Sequence, residues 1–579
     1  MNTHYTDEKA IQVVISLLKQ YGIRKVIASP GTTNLSFVAS IQQDAWFEIY
    51  SSVDERSAAY IACGLAAESG EPVVLSCTGA TASRNYMPGL TEAYYRKLPI
   101  IAITSTNNIS NAGHLLPQFI DRDSVPNDIC KYHTQIFSAY NDKQIWDCEM
   151  KVNTALLECR RNGGGPVHLN LENLYSKNYD VNELPTYRKI DRITLAGKFP
   201  TLSKGKIAIF IGAHAQMTEV ETEAIDKFCA SNNAVAFCDH TSSYRGKFAV
   251  HFSLFMSQES LSKTDFNPDL LIHIGEVSGD YYNLGVKAKE VWRVNPDGEI
   301  RDTFKKLTKV FEMPIEHFFS NYTNSTKGDD SYLNACQETL NGIRTKLPEI
   351  PFSNVWLASQ LASQLPNNST IHFGILNSLR AWNFFELPTT VKSMSNVGGF
   401  GIDGCTSSLI GASLCNQDNL YYLVTGDLAF FYDMNVIGNR HIGNNVRILL
   451  VNNGKGTEFR NYSHSAARFG DEADLYMAAG GHFGNKSSEL VKNYAENLGY
   501  EYISASNKDE FNSVYSEFIN PKITDKPMIF EVFTNNQDES DALKSIRNIE
   551  SDISSGIKNT AKSILGDKGV KTLKNILGK

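Results

Sequence analysis

The feature that most limits the architecture open to this chain is a recurring alternation of short apolar runs with helical stretches, each run ending in a small or glycine-bearing turn. KVIA at 25–28 runs into the turn SPG, the runs at 73–77 and 100–104 are of the same kind, and VHLNL at 167–171 closes the first region. Short continuous apolar runs read as strands buried on both faces, and strands that alternate with helices need crossover connections. The chain is therefore expected to be α/β, with parallel, doubly wound sheets. Ahead of the first run, Thr6 is expected to cap a helix carrying Ile11, Val13, Val14, Leu17 and Leu18, with Gly22 just past its end. A short strand at 48–51 leads to Asp54-Glu55-Arg56 and then to a small-residue helix at 57–66.

The alternation restarts at 206–212, with runs at 270–275 and 291–294, and again beyond Phe352, with runs at 421–425, 447–451 and 528–533. Between these regions the polar stretch NYTNSTKGDD at 321–330 reads as a linker. The expected division is three α/β domains at 1–190, 191–345 and 346–540, with a tail at 541–579, in keeping with a prior of roughly 100–200 residues per domain. In the tail Ile553, Ile557, Ala561, Ile564 and Leu565 recur at helical spacing among lysines, so a basic amphipathic helix is expected there. Such a helix can make a peripheral contact with an anionic membrane, although docking on its own protein is the commoner outcome.

A net charge of -8 leaves no basic footprint for nucleic acid. The 10 cysteines form no C-x-x-C pair, which argues against a disulfide framework or a zinc module, and they read as small buried hydrophobes in a reducing compartment. No basic region followed by an apolar run opens the chain, and no apolar stretch approaches the roughly 20 residues of a membrane span. A soluble, cytoplasmic protein is expected.

The residues that carry chemistry stand at strand ends. Gly426, Asp427, Leu428 and Ala429 follow one apolar run, and Asn453, Gly454, Lys455 and Gly456 follow the next. A glycine turn at the carboxyl end of a parallel strand lets backbone N–H groups approach a diphosphate, and one carboxylate plus one amide oxygen can hold a hard cation beside it. Taken singly, such turns also serve merely to end strands, and Glu55 ahead of a helix also reads as favourable helix N-terminal charge. Gly399, Gly401 and Gly404 spell a G-x-G-x-x-G, but late in their unit and with only Asp418 as an acidic partner, so a dinucleotide reading is weak.

Several motifs together resemble the thiamine diphosphate-dependent 2-oxo acid decarboxylases and carboligases over most of residues 1–535. They are SPGT at 29–32, DERSAAY at 54–60, GPVHLN at 165–170, GIDG at 401–404, and GDLAFFYDMN at 426–435 with Asn453 following Asp427 by 453 − 427 = 26 residues. Within that superfamily the chain resembles the menaquinone-pathway synthase that joins 2-oxoglutarate to isochorismate, and the acetohydroxyacid synthases. The resemblance implies pyrimidine-binding, central and diphosphate-binding domains. It implies Mg²⁺ on the Asp427 carboxylate, the Asn453 side-chain oxygen and the Lys455 backbone carbonyl, with Gly426, Leu428, Ala429 and Gly456 completing the cofactor cradle. Ile402 would prop the bent cofactor, although a core isoleucine is its plainer reading. Glu55 would share a proton with the pyrimidine ring and is expected to be largely buried, with its pKa raised by desolvation. The central domain is similar to one that binds FAD in acetohydroxyacid synthases, yet nothing between Lys206 and Val294 establishes a flavin.

On the substrate side the candidates are Thr32, Thr33 and Gln118, with Arg380; His114 and Gln118 join Glu55 and Arg380 as catalytic candidates, and His114 reads equally well as a loop histidine. Thr33 stands where the menaquinone synthase carries an arginine and Val397 where it carries a second, whereas Arg380 matches a third. Losing two guanidinium forks weakens a pocket for two polyanionic substrates and points to a specialised carboligase in sugar or secondary metabolism. The implied activity is decarboxylation of a 2-oxo acid donor and transfer of the acyl carbanion to a carbonyl acceptor. The alternatives are simple decarboxylation to an aldehyde, and a cofactor-dead scaffold or membrane-associated subunit. Members of this superfamily assemble one site from two chains, so the resemblance implies a homodimer at least, and a homotetramer is common.

Overall fold

The computed structural model describes residues 4–202, 204–325, 328–482 and 487–550. The basic helix expected around Ile553 to Leu565 lies outside the described residues. Two compact units divide the described residues, one within 4–197 and 298–312 and the other within 198–297 and 313–550.

The first unit carries β1 (Lys25–Ala28), β2 (Glu48–Ser51), β3 (Val73–Thr78), β4 (Ile100–Asn107), β5 (Tyr132–Ile136) and β6 (Val167–Asn173), followed by β7 (Asp191–Thr194). The first six pair in parallel in the order β2-β1-β3-β4-β6-β5. Strand order reverses between β1 and β3, and an α/β sheet opens a crevice outside its carboxyl ends at such a point. The turn after β1 is tight there: a Cβ on Gly31 would stand 2.0 Å from Thr78 Cγ2.

Successive side chains of a strand point to opposite faces, and both faces of this sheet are covered. Val74, Ile101 and Ile103 join Val26 in a core with helices Lys9–Gln20 and Asp142–Glu158. Val73, Leu75, Ile100 and Ala102 join Ile27 in a second core with helices Glu55–Ser69 and Met87–Arg96. Burial on both sides explains why these strands read as unbroken apolar runs. Glu8, not Thr6, precedes the first helix; Thr6 is buried upstream, where its carbonyl accepts a hydrogen bond from Gln12 Nε2 at 2.7 Å. Gly22 follows the helix in the left-handed region at φ 74, as expected.

The second unit contains two parallel sheets. Its first holds β8 (Ile207–Ile211), β9 (Ala234–Cys238), β10 (Ala249–His251), β11 (Leu270–Ile274) and β12 (Glu290–Val294) in the order β10-β9-β8-β11-β12. β13 (Leu307–Glu312) returns to the first unit, where it pairs in parallel with β7. The last sheet holds β14 (Thr370–Phe373), β15 (Lys392–Ser395), β16 (Tyr421–Gly426), β17 (Val446–Asn452), β18 (Glu501–Ala505) and β19 (Met528–Phe533), in the order β15-β14-β16-β17-β19-β18, again all parallel. The reversal falls between β14 and β16.

The chain is thus an α/β protein of three parallel, doubly wound sheets. The start of the polar stretch at 321–330 is helical, because helix Ile315–Tyr322 runs into it and buries Phe318 and Phe319. All the cysteines are free and buried except Cys415, which lies exposed in the turn after helix Cys405–Ser413. Among the described residues no helix is long and apolar enough to cross a membrane.

Candidate active site

β16 and β17 pair with Gly426 opposite Val451, so the turns beyond them emerge side by side at the carboxyl edge of the sheet. Asp427 opens helix Asp427–Asp433 and is only 3% exposed. Its Oδ2 accepts the Gly454 N–H at 2.8 Å, which ties the two turns together. Burial pushes this carboxyl up to about 7, against the pull of hydrogen bonds from the Leu428 and Gly454 backbones. Asn453 turns its Nδ2 to Thr457 Oγ1 at 3.5 Å, and its Oδ1 is buried with no hydrogen-bond partner. A buried polar atom left unpaired in a native fold calls for a missing partner. Here the atom is a hard oxygen donor next to a buried carboxylate, the donor chemistry of a Mg²⁺-like cation. Among the described residues no group of three or more His, Cys, Asp and Glu side chains is gathered for a metal. A cation at this point would therefore be held by one carboxylate, neutral oxygens and a ligand's own phosphates, as Mg²⁺ commonly is.

Gly426, Asp427, Leu428, Ala429, Asn453, Lys455 and Gly456 line one pocket, and Ile402 lines it as well. Space beside the Gly426 Cα is open, so backbone there is free to meet a ligand. Lys455 points its ammonium away to Asp474 Oδ2 at 2.5 Å, and Arg460 holds the other oxygen of Asp474 at 2.6 Å. Ile402 packs against the core of this sheet. Its loop ends at Gly404, whose φ of 75 lies in the left-handed region that glycine adopts without strain.

Carboxyl groups not anticipated from the sequence surround this edge. Glu539 lines the pocket, is 7% exposed, and accepts from the Asn354 N–H at 3.1 Å and from Thr534 Oγ1 at 2.7 Å. Burial pushes it up to about 7. Glu531 on β19 accepts from Asn452 Nδ2 at 2.7 Å and from the Tyr502 hydroxyl at 2.8 Å, and burial raises it too. Its placement inside the apolar run MIFEVF is a signal that sequence alone offers; Glu539, in a polar helix, offers none. Arg380, expected to face a substrate, forms a two-pronged pair with Glu458, Nη1 to Oε2 at 2.8 Å and Nη2 to Oε1 at 3.0 Å. Burial opposes the charge on Arg380, and Glu458 more than restores it, leaving its pKa raised.

In the first unit Glu55 is the first residue of helix Glu55–Ser69, at the carboxyl end of β2, and the capping role falls to Asp54, whose Oδ1 accepts the Arg56 N–H at 3.1 Å. Glu55 Oε2 accepts from Asn85 Nδ2 at 3.2 Å. The expected deep burial is not found within this chain: Glu55 is half-buried. The reason is local, because Val53, Tyr60 and Ile61 on the same segment are 79%, 48% and 50% exposed.

Thr33 and Gln118 line a second cavity, with Thr78, Gly79 and Thr106. Thr33 Oγ1 donates to the Ser105 carbonyl at 2.6 Å, and Gln118 is held in the left-handed region at φ 72. Thr32 and His114 are exposed and are not part of this lining. Arg122, another residue not singled out from sequence, is 5% exposed and donates from Nη1 to Thr104 Oγ1 at 2.8 Å. It lies so close to Gly79 that a Cβ there would stand 2.7 Å from its Nη1. Burial pulls its pKa down to about 10.

A parallel α/β sheet whose strand-end turns present a buried carboxylate, an unpaired amide oxygen and open glycine backbone suits a diphosphate-bearing cofactor. Residues 8–125 match the family model described as thiamine pyrophosphate enzyme, N-terminal TPP binding domain. Residues 8–125 thus match the N-terminal cofactor-binding domain of the thiamine diphosphate-dependent superfamily, and the chain resembles the enzymes of that superfamily.

Within that superfamily it resembles the 2-succinyl-5-enolpyruvyl-6-hydroxy-3-cyclohexene-1-carboxylate synthases. It is 29% identical to that of Bacteroides fragilis over 568 residues, covering 93% of this chain and 98% of the relative. It is 28% identical to that of Bacteroides thetaiotaomicron over 559 residues, with the same coverage of 93% and 98%. Among solved structures it matches the thiamine diphosphate-dependent 4-hydroxybenzoylformate decarboxylase of Rhodococcus jostii at 16% identity and a TM-score of 0.40, covering 91% of this chain and 99% of that one.

Proposed function

We propose that the protein decarboxylates a 2-oxo acid and transfers the resulting acyl group to a carbonyl acceptor, using thiamine diphosphate and Mg²⁺, as a cytoplasmic homodimer or homotetramer. The observation that carries this reading is the buried Asp427 carboxylate beside the unpartnered Asn453 Oδ1. The printed name of the relatives, a synthase of a cyclohexene carboxylate, supports a carboligase. When bound, thiamine diphosphate supplies a carbon nucleophile that attacks the keto carbon of a 2-oxo acid and stores the electrons left by departing CO₂.

The residues have separate tasks in this reading. Asp427, the Asn453 side-chain oxygen and the Lys455 backbone carbonyl hold the cation. Gly426, Leu428, Ala429 and Gly456 leave room for the diphosphate, and Ile402 supports the cofactor from beneath. Glu55 holds a proton at the pyrimidine ring nitrogen and takes it back, which needs a carboxyl kept from bulk water. A second copy of the chain supplies that cover: the exposed Val53, Tyr60 and Ile61 form the apolar surface it would bury, and its own pocket would receive Glu55. Thr33 and Gln118 orient the substrate from the cavity beside β1 and β3.

Equilibrium binding of thiamine diphosphate with and without Mg²⁺ tests the cofactor, and CO₂ release from a panel of 2-oxo acids, with and without carbonyl acceptors, tests the reaction. Saturable, Mg²⁺-dependent binding and acceptor-dependent product are expected. Aldehyde released regardless of acceptor would replace ligation by simple decarboxylation, and no binding at millimolar cofactor would leave a scaffold.

A further inference from the structure

The pocket of the second unit is also walled by Asn377, Glu458 and Phe459. Glu458 lies in the turn Thr457–Arg460 and Arg380 in helix Asn377–Trp382, and their side chains are 21% and 15% exposed. The pair is held from several directions. Asn461 Nδ2 donates to Glu458 Oε2 at 3.1 Å and to Asn377 Oδ1 at 3.2 Å, while Asn377 Nδ2 donates to Thr457 Oγ1 at 3.0 Å. Arg380 Nη1 also reaches Asn377 Oδ1, at 3.3 Å. The guanidinium fork is thereby filled by a carboxylate of the same chain. Among the described residues lining the pocket the basic side chain is Lys455, and Asp474 holds its ammonium. The acids lining it are Asp427, Glu458 and Glu539.

Resting on the proposed function, we propose that Glu458 is a specificity-determining residue that selects a substrate with a neutral, hydroxyl-bearing group at this wall and rejects one with a second carboxylate. A carboxylate entering here meets the like charge of Glu458 and gains a partner only by prising Arg380 out of a two-pronged, largely desolvated pair, which leaves Glu458 without its cationic partner. A hydroxyl faces no such barrier, since it can donate to a Glu458 oxygen while the pair stays intact.

The experiment uses the full chain loaded with thiamine diphosphate and Mg²⁺ and two acids of equal length, 2-oxoglutarate and 5-hydroxy-2-oxopentanoate, with equilibrium binding and CO₂ release read for each. The wild type is expected to favour the hydroxy acid by at least about tenfold, the scale of one charge-assisted contact. Glu458→Gln should shrink that preference by roughly tenfold, chiefly through KM for 2-oxoglutarate, by freeing Arg380. Adding Arg380→Gln to Glu458→Gln should cancel the gain, which a merely structural role for Glu458 would not do. A wild type that prefers 2-oxoglutarate, or a folded, cofactor-binding Glu458→Gln with an unchanged ratio, overturns the proposal. The wild-type ratio decides it alone should the variant fail to fold. If cofactor binds and neither acid releases CO₂, the decarboxylation reading fails while the two binding constants still decide the specificity; if cofactor itself does not bind, the functional reading falls and this proposal with it.

Discussion

The turns beyond β16 and β17 hold their ionisable groups out of water, whereas the edge that carries Glu55 leaves its acid half in solvent. Asp427 is 3% exposed, and the Asn453 Oδ1 is buried without a hydrogen-bond partner in a residue that lines the same pocket. Glu55 has a single amide contact, from Asn85, and exposed apolar neighbours. On the proposed reading the cation site would be complete within its own unit, and Glu55 would take its cover from a second copy of the chain. The contrast separates binding from chemistry: changes at Asp427 should act on affinity, and changes at Glu55 on rate.

The largest effect is expected at Glu55. Glu55→Gln should slow exchange of the cofactor C2 proton, followed by NMR, by at least roughly 100-fold, the lower range for a general acid–base group. Cofactor affinity should stay within a few-fold, and unchanged exchange would remove Glu55 from the mechanism. Asp427→Asn should show the reverse pattern, a loss of Mg²⁺-dependent cofactor affinity of at least about 10–100-fold, as even outer partners of metal ligands are worth that much. Equal affinity in calorimetry would sever the link between that carboxylate and the cation.

Glu539 sharpens the buried side of the comparison through pH. Its folded pKa, up to about 7, lies above the roughly 4.3 of an unfolded glutamate. The stability it contributes is therefore fully present below about pH 4 and is lost as pH rises through 7. Thermal melting of the cofactor-free protein should fall between pH 5 and 8, and Glu539→Gln, an isostere of the protonated form, should flatten that slope. An equally steep slope in the variant would exclude Glu539 as its source. The smallest effect is expected at Ile402, where Ile402→Val should lower stability by about 0.5–1.5 kcal/mol in denaturant melts and turnover only a few-fold.

Legibility in the sequence follows burial. Strands covered on both faces, such as β3, β4 and β17, announce themselves as unbroken apolar runs. Edge strands such as β5, YHTQI, and β18, EYISA, are half-exposed, carry polar residues and keep no clean period. The strand-end turns at Asp427 and Asn453 are readable because glycine and small polar residues break off the apolar runs of β16 and β17 there. The pairing of Arg380 with Glu458 joins residues 78 positions apart and leaves no local trace. Glu539 lies in NQDESDALKSIR, where charge is the norm, and its burial depends on Asn354, 185 residues away. The chemistry that the resemblance implies for Glu55 calls for burial, whereas its own segment leaves it half-buried beside exposed Val53, Tyr60 and Ile61.

Mixing two variants tests most directly whether the acid of one chain serves the pocket of another. Glu55→Gln and Asp427→Asn would be co-expressed under separate tags, and the doubly tagged species purified and assayed at a cofactor concentration that saturates the wild type but leaves Asp427→Asn largely empty, so that each variant alone is nearly inactive. Each mixed dimer should hold one intact site of two, so about half of wild-type activity per dimer is expected to return. Doubly tagged dimers no more active than either variant alone would contradict a site shared between chains.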